Sequence, residues 1–152
     1  MGADDNDSTE WRRLCGMTKH AQIFSLAVRV YFQDTDAGGV VYHASYLNFM
    51  ERTRTEWLRS YGYSNAGLMK EFGMVFVVRS VKLDYLKPAL LDDLLDVTAQ
   101  IKDIGRSRIS LLQTVRRGVE ILTEAEIHLV CVSLESFRPV GVPEVLLEQW
   151  KN

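Results

Sequence analysis

Midway along this chain the hydrophobic period passes from that of a helix to that of strands, and that passage restricts the folds open to it. From Ala44 to Tyr61 the large apolar residues Tyr46, Leu47, Met50, Trp57, Leu58 and Tyr61 recur at spacings of three, four and seven, the repeat of a helix with one buried face. From Val75 onward the period is two. Val75, Val77, Val81, Leu83 and Tyr85 alternate with Phe76, Val78, Ser80, Lys82 and Asp84, and Leu95, Val97, Ala99 and Ile101 with Asp96, Thr98, Gln100 and Lys102. Ile109, Leu111 and Val115, then Ala125, Ile127, Leu129 and Cys131, continue the pattern. A long amphipathic helix followed by half-buried strands predicts an α+β fold. An antiparallel sheet has one face to cover, and one long helix can cover it.

The remaining elements follow from local chemistry. Ile23 to Phe32 is β-branched and aromatic, with Val28, Val30 and Phe32 alternating against Arg29 and Tyr31, and reads as a first strand. Gln33 to Val41 is a loop, because Gly38-Gly39 is costly inside a regular element. Gly62 ends the long helix, and a short helix from Asn65 to Phe72 ends at Gly73. Pro88 closes the second strand. Turns at Gly105 and Arg117-Gly118 join the last three strands as a meander, and Glu144 to Trp150 is a short helical tail after Pro139 and Pro143. Five strands result. Residues 1–21 are polar, with Trp11 and Leu14 as their only large aromatic or aliphatic residues, and are expected to form a loose arm. Residues 22–152 are expected to form a single domain.

Composition excludes several classes of function. A net charge of -2 supplies no positive field for nucleic acid. No stretch approaches the ~18 apolar residues of a membrane span. The acidic start Met1-Gly-Ala-Asp-Asp-Asn-Asp lacks the apolar core of a secretory signal, and Cys15 and Cys131 are far apart, with Cys131 in an apolar run. A reduced thiol and a cytoplasmic location are the expectation. No His or Cys cluster has metal-ligand spacing, so neither a metal nor a cofactor is expected.

The chemistry is concentrated between Asp34 and Glu51: Asp-Thr-Asp, Gly38-Gly39, then Val41-Tyr42-His43 leading into the long helix. Asp36 can serve as general base or nucleophile. Amides of the first helical turn beside His43 can receive an oxyanion, and His43 can bond the carboxylate or orient a substrate. The residues alone favour a plainer use, an Asx-turn built by Asp34 or Asp36 before the glycines, and a surface role for His43. Ser45 has no nucleophile-elbow context, and His20 and His128 receive no role. Glu51 is read as a partner for Arg52 or Arg54 in preference to a second catalytic carboxylate. Lys82, Lys87, Arg106 and Arg108 are candidate phosphate ligands, or plain solvated charges.

The run from Val28 through Asp34-Thr-Asp-Ala-Gly-Gly-Val-Val-Tyr-His-Ala-Ser-Tyr to Arg54 resembles the signature of hotdog-fold acyl-CoA thioesterases. More narrowly, it resembles the 4-hydroxybenzoyl-CoA thioesterase-like branch that includes the bacterial Tol–Pal-associated acyl-CoA thioesterase. Tyr85-Leu-Lys-Pro-Ala89 and Gly105-Arg-Ser107 extend the resemblance over roughly residues 25–137. It implies a five-stranded antiparallel sheet wrapped around one long central helix, and a homodimer or homotetramer with sites at the subunit interface. It also implies hydrolysis of an acyl-CoA substrate with Asp36 as the catalytic carboxylate. The amide of His43 would polarise the thioester carbonyl, its side chain would contribute to activity, and Val41 and Tyr42 would line the site. Glu51 is structural on this reading. Two other uses of the fold compete with it: a non-catalytic module binding acyl-CoA or acyl carrier protein, and a dehydratase.

Overall fold

The computed structural model describes residues 22–151; the expected arm, with Cys15 and His20, lies outside them. In chain order the elements are β1 (Phe24–Arg29), α1 (Ser45–Ser60), α2 (Asn65–Phe72), β2 (Met74–Tyr85), β3 (Leu94–Ile104), β4 (Arg108–Arg117), β5 (Glu120–Ser133) and α3 (Glu144–Lys151). The five strands form one antiparallel sheet in the order β1-β3-β4-β5-β2. The β3-β4-β5 meander is as expected, and β1 and β2 occupy the two edges.

The 16-residue α1 packs against β1, β3 and β4. It buries Tyr46, Phe49, Met50, Thr53, Trp57 and Leu58, the three-and-four spacing of one helical face. Phe49 and Met50 are wholly enclosed, each worth about 1.5–3 kcal/mol of apolar burial. Two polar groups are tolerated there because both are bonded. The Thr53 hydroxyl donates to the Phe49 carbonyl at 2.8 Å, and the Gln113 amide donates to the Met50 carbonyl at 3.0 Å. Leu47, read from the sequence as part of the buried face, is instead 39% exposed. It falls just outside the stripe that Tyr46, Phe49 and Met50 define.

The short helix α2 has the bounds that the sequence predicts. The Ser64 hydroxyl accepts the Gly67 amide at 3.0 Å as an N-cap, and Gly73 at φ 60° closes the far end. The β4–β5 connection is a two-residue turn with Gly118 at φ 60° in its first position.

Two strand expectations change. The first strand stops at Arg29, and Phe32, expected on the same face as the buried Val28 and Val30, is 81% exposed. Asp34 causes the break: its buried carboxylate accepts the Tyr31 amide at 2.9 Å and turns Phe32–Asp34 into a single 3-10 turn. Along β2, alternation does not yield one buried face. Val77, Val78 and Val81 are all substantially exposed, because β2 is an edge strand with a register break between Val78 and Ser80. At the chain's end α3 buries Leu146 and Trp150, and Trp150 stacks on Trp57 with ring centroids 5.2 Å apart.

Candidate active site

The loop from Asp34 to His43 is closed by its own backbone. The Asp36 amide donates to the Val40 carbonyl at 2.9 Å, the Gly39 amide donates to the Asp36 carbonyl at 3.1 Å, and Thr35 and Val41 form a β-bridge. Gly39 sits at φ 79°, a conformation that side chains with a Cβ rarely adopt. The Asp36 side chain shapes the turn as well, its Oδ1 accepting the Gly38 amide at 2.8 Å. The Asx-turn favoured by the residues alone is therefore present. It uses one of the roughly four lone-pair positions of a carboxylate, and Asp36 is exposed. The two aspartates divide the work: Asp34 is buried and structural, and Asp36 faces solvent.

The far side of the loop is stapled to residues 85–90. The Val41 amide donates to the Ala89 carbonyl at 2.9 Å, and the Tyr42 amide to the Asp34 carbonyl at 2.8 Å. Val40 bridges to Leu90. The Tyr85 hydroxyl donates to the His43 carbonyl at 2.6 Å, and the Tyr46 hydroxyl accepts the Ala89 amide at 3.1 Å. The two tyrosine rings meet edge-on at 5.4 Å, and the exposed rings of Tyr42 and His43 lie 4.4 Å apart. Tyr85-Leu-Lys-Pro-Ala89 and the Asp36–His43 loop, far apart in sequence, are thus one structure.

Burial pushes the Tyr46 phenol above its ordinary pKa, with the charges of Asp36 and Asp93 adding to the effect against the Ala89 amide and Arg117. Burial raises Tyr85 likewise. Both are therefore neutral hydroxyls at pH 7. Sequence reasoning treated them only as apolar positions; the signal that could have found them is that a phenol at a buried position needs a partner.

Of the other predicted residues, Val41 is buried behind the loop. Lys87 is exposed at the same end of the sheet and pairs with Glu120 at 3.0 Å. Beside it Arg117 bonds Asp93 at 2.7 Å and the Pro88 carbonyl at 3.3 Å, holding the turn after Tyr85. Arg106 and Arg108 lie at the β3–β4 turn. Arg108 lines a cavity of about 470 Å³ with Arg79, Ser110 and His128. It opens β4 while Arg117 closes it, and nine strand steps span about 30 Å. The structure therefore does not bring these arginines to the Asp36 loop of the same chain.

Glu51 is exposed on α1 and acts electrostatically on Arg54. Burial lowers the pKa of that guanidinium, and the Glu51 charge opposes the shift. Lys82 is exposed on β2. Among the described residues no group of three His, Cys, Asp or Glu is placed to hold a metal, and no helix is long and apolar enough to cross a membrane.

Residues 30–150 match the family described as the thioesterase-like superfamily. The chain is 43% identical over 121 residues to the acyl-CoA thioesterase YbgC of Haemophilus influenzae, covering 80% of this chain and 89% of that protein. It is 33% identical over 129 residues to the acyl-CoA thioesterase YbgC of Helicobacter pylori, covering 79% and 94%. Among solved structures, a probable thioesterase from Bartonella henselae superposes with a TM-score of 0.78 at 34% identity, covering 80% of this chain and all of that one. The matched span takes in the Asp36 loop, α1, α2 and all of β2 to β5. With the agreement in architecture, it establishes that the chain belongs to the thioesterase-like superfamily.

Proposed function

We propose that this protein hydrolyses the thioester of an acyl-CoA to the free acid and CoA. The observation that carries the reading is the joint placement of an exposed Asp36 on a glycine turn and His43 at the N-terminus of α1. One rigid frame holds both, in a chain whose relatives are named acyl-CoA thioesterases.

The amide of His43 and the positive end of the α1 dipole stabilise the oxyanion that forms as the carbonyl carbon becomes tetrahedral. Asp36 takes a proton from water as its oxygen bonds that carbon, and the C–S bond breaks as the thiolate of CoA leaves and is protonated. The same residue placed for direct attack gives a mixed anhydride, which water then opens. Val41 and Tyr42 set the path of the chain past the ester. The imidazole of His43, its ring tilted against that of Tyr42, orients the acyl group. Lys87 meets the phosphates of CoA at the loop's own end of the sheet.

The working unit is a dimer, with the hotdog arrangement of sheet around α1. Support comes from β2, an edge strand carrying exposed Val77, Val78 and Val81. Such an edge is suited to antiparallel pairing with the same strand of a second copy. That pairing brings the β3–β4 turn of one copy, with Arg106 and Arg108, toward the Asp36 loop of the other, where both arginines can bind CoA phosphates.

The test is release of free CoA thiol from short, long and aromatic acyl-CoAs by wild type and by Asp36→Asn. The expected result is turnover by wild type and a loss of at least about a hundredfold in the variant, with unchanged folding. Near-native turnover by the Asn variant overturns the role of Asp36. Tight binding of the esters without hydrolysis by wild type makes the protein a binding module.

A further inference from the structure

Four polar residues form one row across four strands of the sheet. Ser80 on β2 stands opposite His128 on β5, His128 opposite Ser110 on β4, and Ser110 opposite Asp103 on β3. Residues paired in this way share a face of the sheet. Ser110 is three residues from Gln113, which bonds the Met50 carbonyl of α1, so strand alternation puts the row on the face turned away from α1. The ladder slips on both sides of it, between Val78 and Ser80 on β2 and between Ile101 and Asp103 on β3. Such bulges re-aim side chains and are frequent beside functional sites. The slip on β2 leaves Arg79 without a partner in the register.

The row and Arg79 line the cavity of about 470 Å³ that Arg108 also lines. Two guanidiniums reach it, and Asp103 is the one carboxylate among its lining residues, so the wall carries one net positive charge without any from His128. Neither Arg79 nor Arg108 makes an ion pair with a described residue. A Cβ on Gly105 would sit 3.2 Å from Arg108 Nε, so the bare glycine gives that guanidinium its room. Nδ1 of His128 lies 2.8 Å from Ser110 Oγ. Its Nε2 lies 3.4 Å from Glu126 Oε1, whose charge is met by Lys102 at 2.7 Å. Guanidinium forks match the oxygens of a phosphate, and hydroxyls donate to the oxygens left over. The volume falls within the range of about 300–1,000 Å³ of small-ligand sites, and Val130, opposite Arg108, offers apolar surface to a carbon skeleton.

We propose that this cavity binds a phosphate monoester. Arg79 and Arg108 hold the dianion between them, and the hydroxyls of Ser80 and Ser110, the latter oriented by His128, meet its remaining oxygens. No part of this uses Asp36 or a thioester, so it stands whether or not the protein is a thioesterase. Two sources carry the same chemistry: a free phosphorylated metabolite, and the nucleotide end of CoA.

The experiment titrates the full chain at about pH 7.5, where a phosphate monoester is mostly a dianion. The probes are glycerol 3-phosphate against glycerol and adenosine 3′-monophosphate against adenosine. Calorimetry on wild type and Arg79→Ala supplies affinities, and NMR of the imidazole signals, with His128 assigned through His128→Asn, reports where the probe sits. The expected result is binding at least about tenfold tighter for a phosphorylated member than for its counterpart, a loss of at least about tenfold in Arg79→Ala, and a shift of the His128 signals. Both phosphorylated probes binding alike uphold the site for free phosphate monoesters. Binding of the nucleotide alone upholds it for the nucleotide end of CoA. Equal binding of phosphorylated and unphosphorylated members overturns the proposal, as does an affinity unchanged in Arg79→Ala. A shift at His43 with none at His128 also overturns it, and that readout needs no variant at Arg79.

Discussion

The Tyr85 hydroxyl donates to the carbonyl of His43 at 2.6 Å, tying the end of β2 to the residue that leads into α1. The bond fixes the peptide whose neighbouring amide faces the proposed oxyanion. Tyr85→Phe removes one hydrogen bond at a half-exposed site and is expected to cost about 1 kcal/mol of stability. A small displacement of the oxyanion donor weighs more heavily on the chemical step. We therefore expect kcat to fall about tenfold with KM within about twofold. A kcat equal to wild type would show that His43 is positioned without this bond.

The two glycines of the loop have different uses, and alanine separates them. Gly39 is at φ 79° with open space around its Cα, so Gly39→Ala meets backbone strain alone and is expected to cost about 1–2 kcal/mol. At Gly38 a Cβ would sit 3.1 Å from Asp36 Oδ1, crowding the carboxylate that the Gly38 amide holds. Gly38→Ala is expected to impair turnover more than thermal stability, and Gly39→Ala the opposite. Calorimetry beside thiol-release kinetics on both variants checks the ordering.

Two-fold pairing of β2 has a genetic signature. Asp36→Asn and the double variant Arg106→Glu/Arg108→Glu are each expected to be strongly impaired alone. In a mixed dimer one of the two sites combines both defects and the other is intact. Co-expression in equal amounts should therefore restore about a quarter of wild-type activity. Absence of recovery, with mixed dimers verified by mass spectrometry, overturns the contribution of the two arginines across the dimer.

Cys131 is enclosed on β5, and burial pushes its thiol up to about 11. In a Cys15→Ser background the native protein is expected to react negligibly with Ellman's reagent at pH 8 and fully once denatured. The unfolded thiol ionises near 8.5, below its folded value. Between about 8.5 and 11 the unfolded chain therefore loses its proton while the folded one keeps it, and stability falls as pH rises through that window. Cys131→Ala should flatten the alkaline limb of a denaturation-midpoint profile. An unchanged slope would assign that limb to other groups.

The elements were legible in the sequence because period, caps and turn residues act over a few neighbours. Ala44 to Tyr61 is expected as a helix and is found as Ser45–Ser60. Asn65 to Phe72 matches residue for residue because Ser64 and Gly73 are local signals. The clustering of Asp36, Gly38-Gly39 and His43 also marked the candidate site, since all of it lies within eight residues. Tertiary structure decided the rest. It separated a buried Asp34 from an exposed Asp36 and made Tyr46 and Tyr85 struts of the loop. It set Arg108 at the opposite end of β4 from Lys87's neighbours and brought Trp57 and Trp150 into one wall. The tyrosine bonds and the tryptophan stack join residues 42 or more positions apart in the chain. A hydrogen bond or an aromatic stack of that span forms only after the sheet has closed, and no local pattern encodes it.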